Sequence, residues 1–558
     1  MSGMRWRPNS LDRRTAWATA VLMVGTFAIG LWVSSSVFEH TPHVEDEGAY
    51  LFQAKTLAGG HLTADSPPVD DAFFFTPFLI DDGQQWYGKY TPGYPAVLAV
   101  GAAAGAPWVV NPLAAALAVG LTVLLGTRVY GRRTGLLAGA LLALSPMALL
   151  HSGTFFSHQV ALCWTLGALL AAERAWRTGS NRAGTMVGVC LAALALTRPL
   201  TALAVAAPLA CAAAVHVRPH RRQITLAALG APLMAVGLLM LYNLHTTGSA
   251  TRFGYEVYWP FDRVGFGPGF GPGDLGHTLA SGWLNTKVNL RQLRTWLFGW
   301  PGGLDLLPVI VAAVVAAGLL AVRARHRMVA TADVVAADVV AADDGAALVD
   351  VAVAADDDVD LPANSAAPDD GSVVRLDPVG FDLLLLGVAV APIVAHVAYW
   401  TSGSVHGPRY YFEGLAAMAL LAARAAHHVA TGLSRLGLRV RVAQWGLAGV
   451  FIGLSAVGLF TTTADRFDDA RGFYGVSTDG LRALEAMHLH DALVFVPIEH
   501  WTDFEPYSAA NSPFLDTDVV YAVHFGAKDE RLIDAMPDRT PYVWANGVLT
   551  PWAESVDP

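Results

Sequence analysis

Residues 16–50 read AWATAVLMVGTFAIGLWVSSSVFEHTPHVEDEGAY, and the two halves of this stretch decide the fold. Residues 16–37 contain no charged side chain. About 20 apolar residues are enough to cross a hydrocarbon core roughly 30 Å thick, so this half reads as a membrane span. The other half ends in three consecutive carboxylates, Glu45, Asp46 and Glu47. A chain that leaves the bilayer and at once presents three acids has opened a loop at the water–lipid boundary. The basic residues before position 16 would also suit a signal peptide, but the apolar run is long and no small-x-small cleavage site precedes the loop, so a retained span is expected.

The first half of that pattern recurs along the chain. Further apolar runs cover 108–129, 134–150, 156–175, 183–196, 200–217, 224–244, 304–322, 379–400, 414–430 and 442–461. They predict an all-α polytopic membrane protein of about eleven spans, with a shorter interfacial helix over 94–106. Composition agrees, with 54% hydrophobic and only 15% charged residues, against about 25% charged in soluble domains. The three cysteines, Cys163, Cys190 and Cys211, lie inside apolar runs, show no C-x-x-C spacing and indicate neither a disulfide framework nor a metal site.

Basic residues orient the spans. If Arg5, Arg7, Arg13 and Arg14 are cytoplasmic, eleven crossings also place Arg128/Arg132/Arg133, Arg174/Arg177/Arg182, Arg218/Arg221/Arg222, Arg323/Arg325/Arg327 and Arg435/Arg439/Arg441 inside. Loops 34–93 and 245–303 and the tail 462–558 then fall outside. Within the helical domain, taken as 1–461, residues 330–377 form a low-complexity Ala/Val/Asp insert. Twelve Asp against one Arg give it about −11 of a whole-chain −10, and it reads as a disordered cytoplasmic loop. Nothing basic is clustered as a nucleic-acid surface would require. The tail changes character: helix-like 481–490 and 528–536 alternate with strand-like 492–498, 518–523 and 541–544, which predicts a small external α/β domain.

The second half of the opening stretch carries the chemistry. Tyr50, Leu51, Ala54 and Leu57 follow the acids at helical spacing, so a helix can lie on the membrane surface there. The acids could simply cap that helix and complement its dipole. They could equally supply a general base where a hydroxyl reacts. The same loop continues with aromatics and Lys89-Tyr90-Thr91-Pro92-Gly93-Tyr94-Pro95. These residues could form an interfacial belt with a snorkelling lysine, or contact a lipid phosphate and a sugar. Arg198, in LALTRPLTAL, and Arg409, in SGSVHGPRYYFEG, run against the positive-inside trend. Each suits a bidentate phosphate contact or an ordinary salt bridge. His158 opens a span on the same side, as a buried or a reacting imidazole. Candidate substrate contacts are therefore Glu45, Tyr50, Lys89, Tyr90, Tyr94, His158, Arg198, Arg409 and Tyr410. The run Gly265–Gly273 is an irregular loop and not a phosphate loop, since neither a preceding strand nor a Gly-Lys-Ser/Thr is present.

In their order and spacing, the Asp46-Glu47 pair just after the first span, the KYTPGYP stretch from Lys89 to Pro95, and VYGRRTGLLAGALLALSP resemble the GT-C membrane glycosyltransferases of the protein O-mannosyltransferase and lipid A aminoarabinose transferase type. The resemblance covers roughly residues 16–240, and PRYYFEGLAAMALLAAR near Arg409 looks like later spans of the same group. It implies an inverting transferase that moves a sugar from a polyprenyl-phosphate donor to a lipid, glycan or protein hydroxyl. It implies Asp46 as the base, with Glu47 beside it. No cofactor is implied with certainty, and a divalent metal is left open. The main rival from another class is a transporter or lipid flippase. That class shows internal repeats and polar groups at mid-membrane, whereas here the polar residues gather at span ends.

Overall fold

The Asp12 carboxylate accepts a hydrogen bond from the Thr15 N–H at 2.9 Å and so starts α1 (Arg13–Ser36), the first apolar helix. The computed structural model describes residues 12–216, 222–343 and 377–555. After a short turn comes α2 (Glu45–Ala58), followed by an antiparallel sheet of β1 (Ala64–Asp65), β2 (Leu79–Asp81) and β3 (Gln85–Gly88), in the order β1-β3-β2. This sheet was not legible in the sequence, because strands of two to four residues carry no measurable alternation.

The helical body follows. It comprises α3 (Gly93–Ala103), α4 (Val110–Tyr130), α5 (Arg132–Ala143), α6 (Pro146–Gly153), α7 (His158–Thr178), α8 (Asn181–Thr197), α9 (Pro199–His216) and α10 (Arg222–Thr247). A large loop then holds α11 (Gly254–Tyr258) and α12 (Leu279–Trp296), before α13 (Leu307–Asp343), α14 (Pro378–His396), α15 (Leu415–Ser434) and α16 (Val440–Phe460). Among the described residues six helices are long and apolar enough to cross a membrane, or seven if the bent pair α5–α6 makes one span.

The structure therefore does not turn all eleven apolar runs into full-length apolar helices. The run 134–150 bends by 57° because Pro146 opens a new helix at its first position, with the Ser145 hydroxyl as its cap. Helices α8 and α9 are short because Pro199 interrupts them. Helix α7 holds Glu173, Arg174 and Arg177 within its last two turns. Helix α13 runs past 322 into the acidic insert as far as Asp343, as its alanine content favours. The segment read as disordered is thus helical over 330–343, and its remainder, 344–376, lies outside the described residues.

The tail builds α17 (Thr462–Ala470), α18 (Asp479–Glu485), β4 (Ala492–Val496), α19 (Trp501–Ala510), β5 (Val519–Val523), α20 (Glu530–Ala535), β6 (Thr540–Ala545), β7 (Val548–Pro551) and α21 (Trp552–Ser555). The four strands form one sheet, β5-β4-β6-β7, parallel except at β6–β7. Central β4 is buried along its whole length, as its unbroken apolar sequence requires. This domain clamps α2. The Lys55 ammonium donates to the carbonyls of Ala509 and Asn511 at the end of α19. Gly48 lies so close that a Cβ there would fall 2.3 Å from Glu505 Oε1. Glu39 accepts from both the N–H and the hydroxyl of Thr478.

Candidate active site

Asp46 is the second residue of α2, and its two oxygens face different partners. Oδ1 accepts a hydrogen bond from the Tyr90 hydroxyl at 2.7 Å, and Oδ2 accepts from Arg409 Nη1 at 3.1 Å. Arg409 reaches it from the tight turn between α14 and α15, and its guanidinium lies over the Phe156 ring, 4.6 Å from the centroid. Residues 363 apart in sequence are thus joined in one ion pair.

Two further ion pairs stand beside it. Arg198, at the break between α8 and α9, pairs with the fully buried Glu413 at 3.3 Å. The Arg198 guanidinium also donates to the Ser157 hydroxyl at 3.2 Å. Lys89 lies 3.4 Å above the Phe78 ring centroid and 4.7 Å from that of Trp259, with its ammonium 3.4 Å from Asp262. Asp262 is fixed in turn by the Tyr399 hydroxyl at 2.7 Å and the Trp400 indole N–H at 2.9 Å. Each of the three cations has its own carboxylate. Such buried pairs gain little net stability, but they hold charge in fixed positions.

These groups surround a cavity of about 590 Å³. Among the residues proposed from sequence, Glu45, Asp46, Tyr50, Lys89, Tyr90, Arg198, Arg409 and Tyr410 line it. A second, almost wholly apolar cavity of about 630 Å³ runs between α8, α9 and α10 and shares Pro199 and Phe253 with the first. A third, of about 450 Å³, shares Glu45 and is completed by Tyr474, His500, Trp501, Thr502 and Asp503 of the tail.

Three expected site residues stand elsewhere. Glu47 is fully buried on the opposite side of α2, where Oε2 accepts the His43 N–H at 3.1 Å. It is the third residue of its helix and reaches back past the Val44 N-cap to His43, so although it follows Asp46 in sequence it does not line the cavity. Tyr94 is buried under Asn111, whose amide donates to its hydroxyl at 3.1 Å. His158 lies one layer behind the cavity, with Nδ1 3.2 Å from the Glu413 oxygen that holds Arg198.

Electrostatics separate the carboxyls. Burial pushes the Asp46 carboxyl up, but the Arg409 and Lys89 charges and the Tyr90 hydroxyl more than offset this and hold it below the ordinary range. Burial raises Glu45, with the neighbouring Asp46 charge adding to the rise. Burial also pushes Glu413 up to about 7 against the pull of Arg198, and Glu47 up to about 8. A carboxyl whose folded pKa is raised contributes stability that is full below its unfolded pKa and fades as pH climbs through the folded one. For Glu47 that window lies between 4.5 and about 8. Glu47→Gln should therefore flatten the fall in thermal stability across this window and leave transfer within about threefold of the parent, because the Gln amide oxygen can still accept the His43 N–H. Melting curves at pH 5 and pH 8 check this. A complete loss of activity would return Glu47 to the reaction.

The sequence reading passed over Asp262, Trp259, Tyr399, Trp400, His396 and Glu413. Asp262 stands in WPFDRVG, where an acid before an arginine resembles any loop pair, and only the fold brings Lys89 to it. Glu413 stands in RYYFEG, four residues from Arg409, and its burial was the missing signal. The glycine run 265–273 also reaches the site. Phe270 lines the cavity, and Gly271 (φ 77°) lies where a Cβ would come within 2.7 Å of Trp400. Among the described residues no group of three or more His, Cys, Asp or Glu side chains is arranged to hold a metal ion.

With this geometry in view, comparisons place the fold. A family model described as a domain of unknown function, DUF7846, matches residues 492–556, the sheet region of the tail. No curated protein matches the chain. Among solved structures, apo ArnT from Cupriavidus metallidurans matches with a TM-score of 0.52 at 14% identity, over 91% of this chain and 86% of that one. The same protein bound to undecaprenyl phosphate matches with 0.49 at 14%, over 97% and 92%. The archaeal oligosaccharyltransferase AglB from Archaeoglobus fulgidus, in complex with an inhibitory peptide and a dolichol-phosphate, matches with 0.46 at 12%, over 96% and 72%. The likeness to apo ArnT shows that the chain has the GT-C fold.

Proposed function

We propose that the protein is a multi-pass membrane glycosyltransferase that moves a sugar from a polyprenyl-phosphate donor to an acceptor hydroxyl at the external face, with inversion. One observation carries this reading: Asp46, Lys89, Arg198 and Arg409 line a single cavity that shares Pro199 and Phe253 with an adjoining apolar slot. A pocket that gathers Lys89, Arg198 and Arg409 suits a phosphate, and the slot suits the hydrocarbon attached to it.

The chemistry follows from the ion pairs. The acceptor oxygen attacks the anomeric carbon, the bond from that carbon to the phosphate oxygen breaks, and the lipid phosphate leaves with the bonding electrons. The acceptor proton goes to Asp46. Before donor binds, Arg409 depresses the basicity of Asp46. A donor phosphate competes for Arg409, and as the guanidinium turns to it the carboxylate regains its affinity for a proton. Arg198 and Lys89 stabilise the charge that develops on the leaving group. The acceptor approaches through the third cavity, past Glu45, where the tail domain supplies Tyr474 and Trp501. Lipids, glycans and proteins all carry hydroxyls that could use this route.

Two measurements test the reading. Purified protein in liposomes, given labelled polyprenyl-phosphate sugars, should consume donor and release free polyprenyl phosphate. Movement of intact donor between leaflets without its consumption would favour a flippase instead. The distribution of basic residues in the sequence favours a cytoplasmic N-terminus and an external tail domain. A reporter fused after Pro558 should therefore be active only outside the cell membrane, and cytoplasmic activity would invert the arrangement.

A further inference from the structure

At the end of α7 remote from Asp46, about 30 Å along its 21 residues, lies a separate cavity of about 510 Å³ between α4, α7 and α8. Three arginines line it, Arg128, Arg174 and Arg182, one from each helix. Each stands four residues from an apolar lining residue: Leu124 before Arg128, Leu170 before Arg174, and Met186 after Arg182. Helix α8 returns antiparallel to α7 through a two-residue turn. Four residues are about one helical turn, so all three apolar side chains lie one turn further into the helix layer than their arginines. The result is a ring of cations at the rim of an apolar slot.

Charge bookkeeping inside this region is incomplete. Glu173 serves Arg128 at 3.8 Å and Arg177 at 2.8 Å. Among the described residues, neither Arg174 nor Arg182 has an acidic side-chain partner, and no acid lines the cavity. Arginines placed only to orient the spans could lie anywhere along an inner loop, with no concave apolar floor beneath them.

We propose that this cavity binds an anionic phospholipid, its phosphate among Arg128, Arg174 and Arg182 and its acyl chains over Leu124, Leu170 and Met186. A soluble phosphate would leave the apolar floor uncovered, and a zwitterionic headgroup would find no acid for its ammonium. Basic pockets between membrane helices on the cytoplasmic side suit this class of lipid on general grounds. The site is independent of the transfer chemistry and rests only on the chain spanning a bilayer.

The test uses the full-length protein in nanodiscs of equal phosphatidylglycerol and phosphatidylcholine, with retained lipid counted by native mass spectrometry. The parent should keep phosphatidylglycerol in preference. Arg174→Gln and Arg182→Gln should each lower that retention about fivefold. Both residues are exposed, so folding is not at stake. Met186→Trp should also lower retention by narrowing the slot, with all arginines in place. Arg435→Gln, at an exposed arginine outside the cavity, should change nothing. Equal retention of the two lipids, an equal loss with Arg435→Gln, or displacement of the lipid by millimolar inorganic phosphate would each overturn the proposal. None of these readouts depends on sugar transfer, so a failed donor assay leaves the test intact.

Discussion

Asp46→Asn should abolish sugar transfer and leave the protein folded. The substitution conserves shape. Asp46 makes no capping hydrogen bond at the start of α2, where Val44 is the N-cap, so the beginning of the helix is undisturbed. The amide oxygen can still accept the Tyr90 hydroxyl, which now sits 2.7 Å from Oδ1. What is lost is the charge facing Arg409 and the carboxylate proposed to take the acceptor proton. General-base contributions are typically on the order of 10²–10⁴-fold. The loss should be of that size in turnover of labelled donor, in a protein that still folds but melts lower because Arg409 has lost its countercharge. Glu45→Gln is the companion experiment, because Glu45 faces both the donor cavity and the cavity shared with the tail domain, and burial raises its pKa. If Asp46→Asn kept near-parental turnover while Glu45→Gln lost it, the proton would pass to Glu45 and the role of Asp46 would shrink to holding Arg409.

The location of this carboxylate was legible because two independent signals coincide in one stretch: a charge-free apolar run and three acids after it. Arg198 and Arg409 were legible for a related reason, since basic residues on the wrong side of the charge asymmetry need a local explanation, and both line the cavity with Asp46. The division of labour within the acidic triplet was not legible. Three consecutive helical residues point in directions about 100° apart, so one of them had to turn inward. Which one did so depended on His43, whose N–H meets Glu47. The count of about eleven spans is not confirmed, for a similar reason. Helix α15 carries Arg424, His427 and His428, which find partners inside the bundle in Asp382 and Gln444. Hydropathy along one helix cannot register a partner supplied by another. Asp262 marks the same limit at the site itself, because its partner Lys89 lies 173 residues away.

Asp262 gives the second large effect. Asp262→Ala should destabilise the protein by about 3–5 kcal/mol, since removal of one member of a buried pair leaves the other charge uncompensated. Neither side chain is more than 5% exposed, so solvent offers little relief. The same change strands the Tyr399 hydroxyl and the Trp400 indole N–H, both of which donate to Asp262. Stability alone, however, does not say why the pair is there. Lys89→Met with Asp262→Leu replaces both charges by apolar groups of similar volume in a pocket already walled by Phe78 and Trp259, and such replacements are often neutral. The double variant should therefore recover the part of the loss that comes from the uncompensated Lys89 charge, while Tyr399 and Trp400 still lack their acceptor. Its donor KM should still rise about tenfold or more, the effect of one lost charge-assisted phosphate contact. Thermal melts and donor titrations on the two variants separate the roles. If the double variant regained both that part of the stability and parental donor KM, Lys89 would be a packing residue and the phosphate would rest on Arg198 and Arg409 alone.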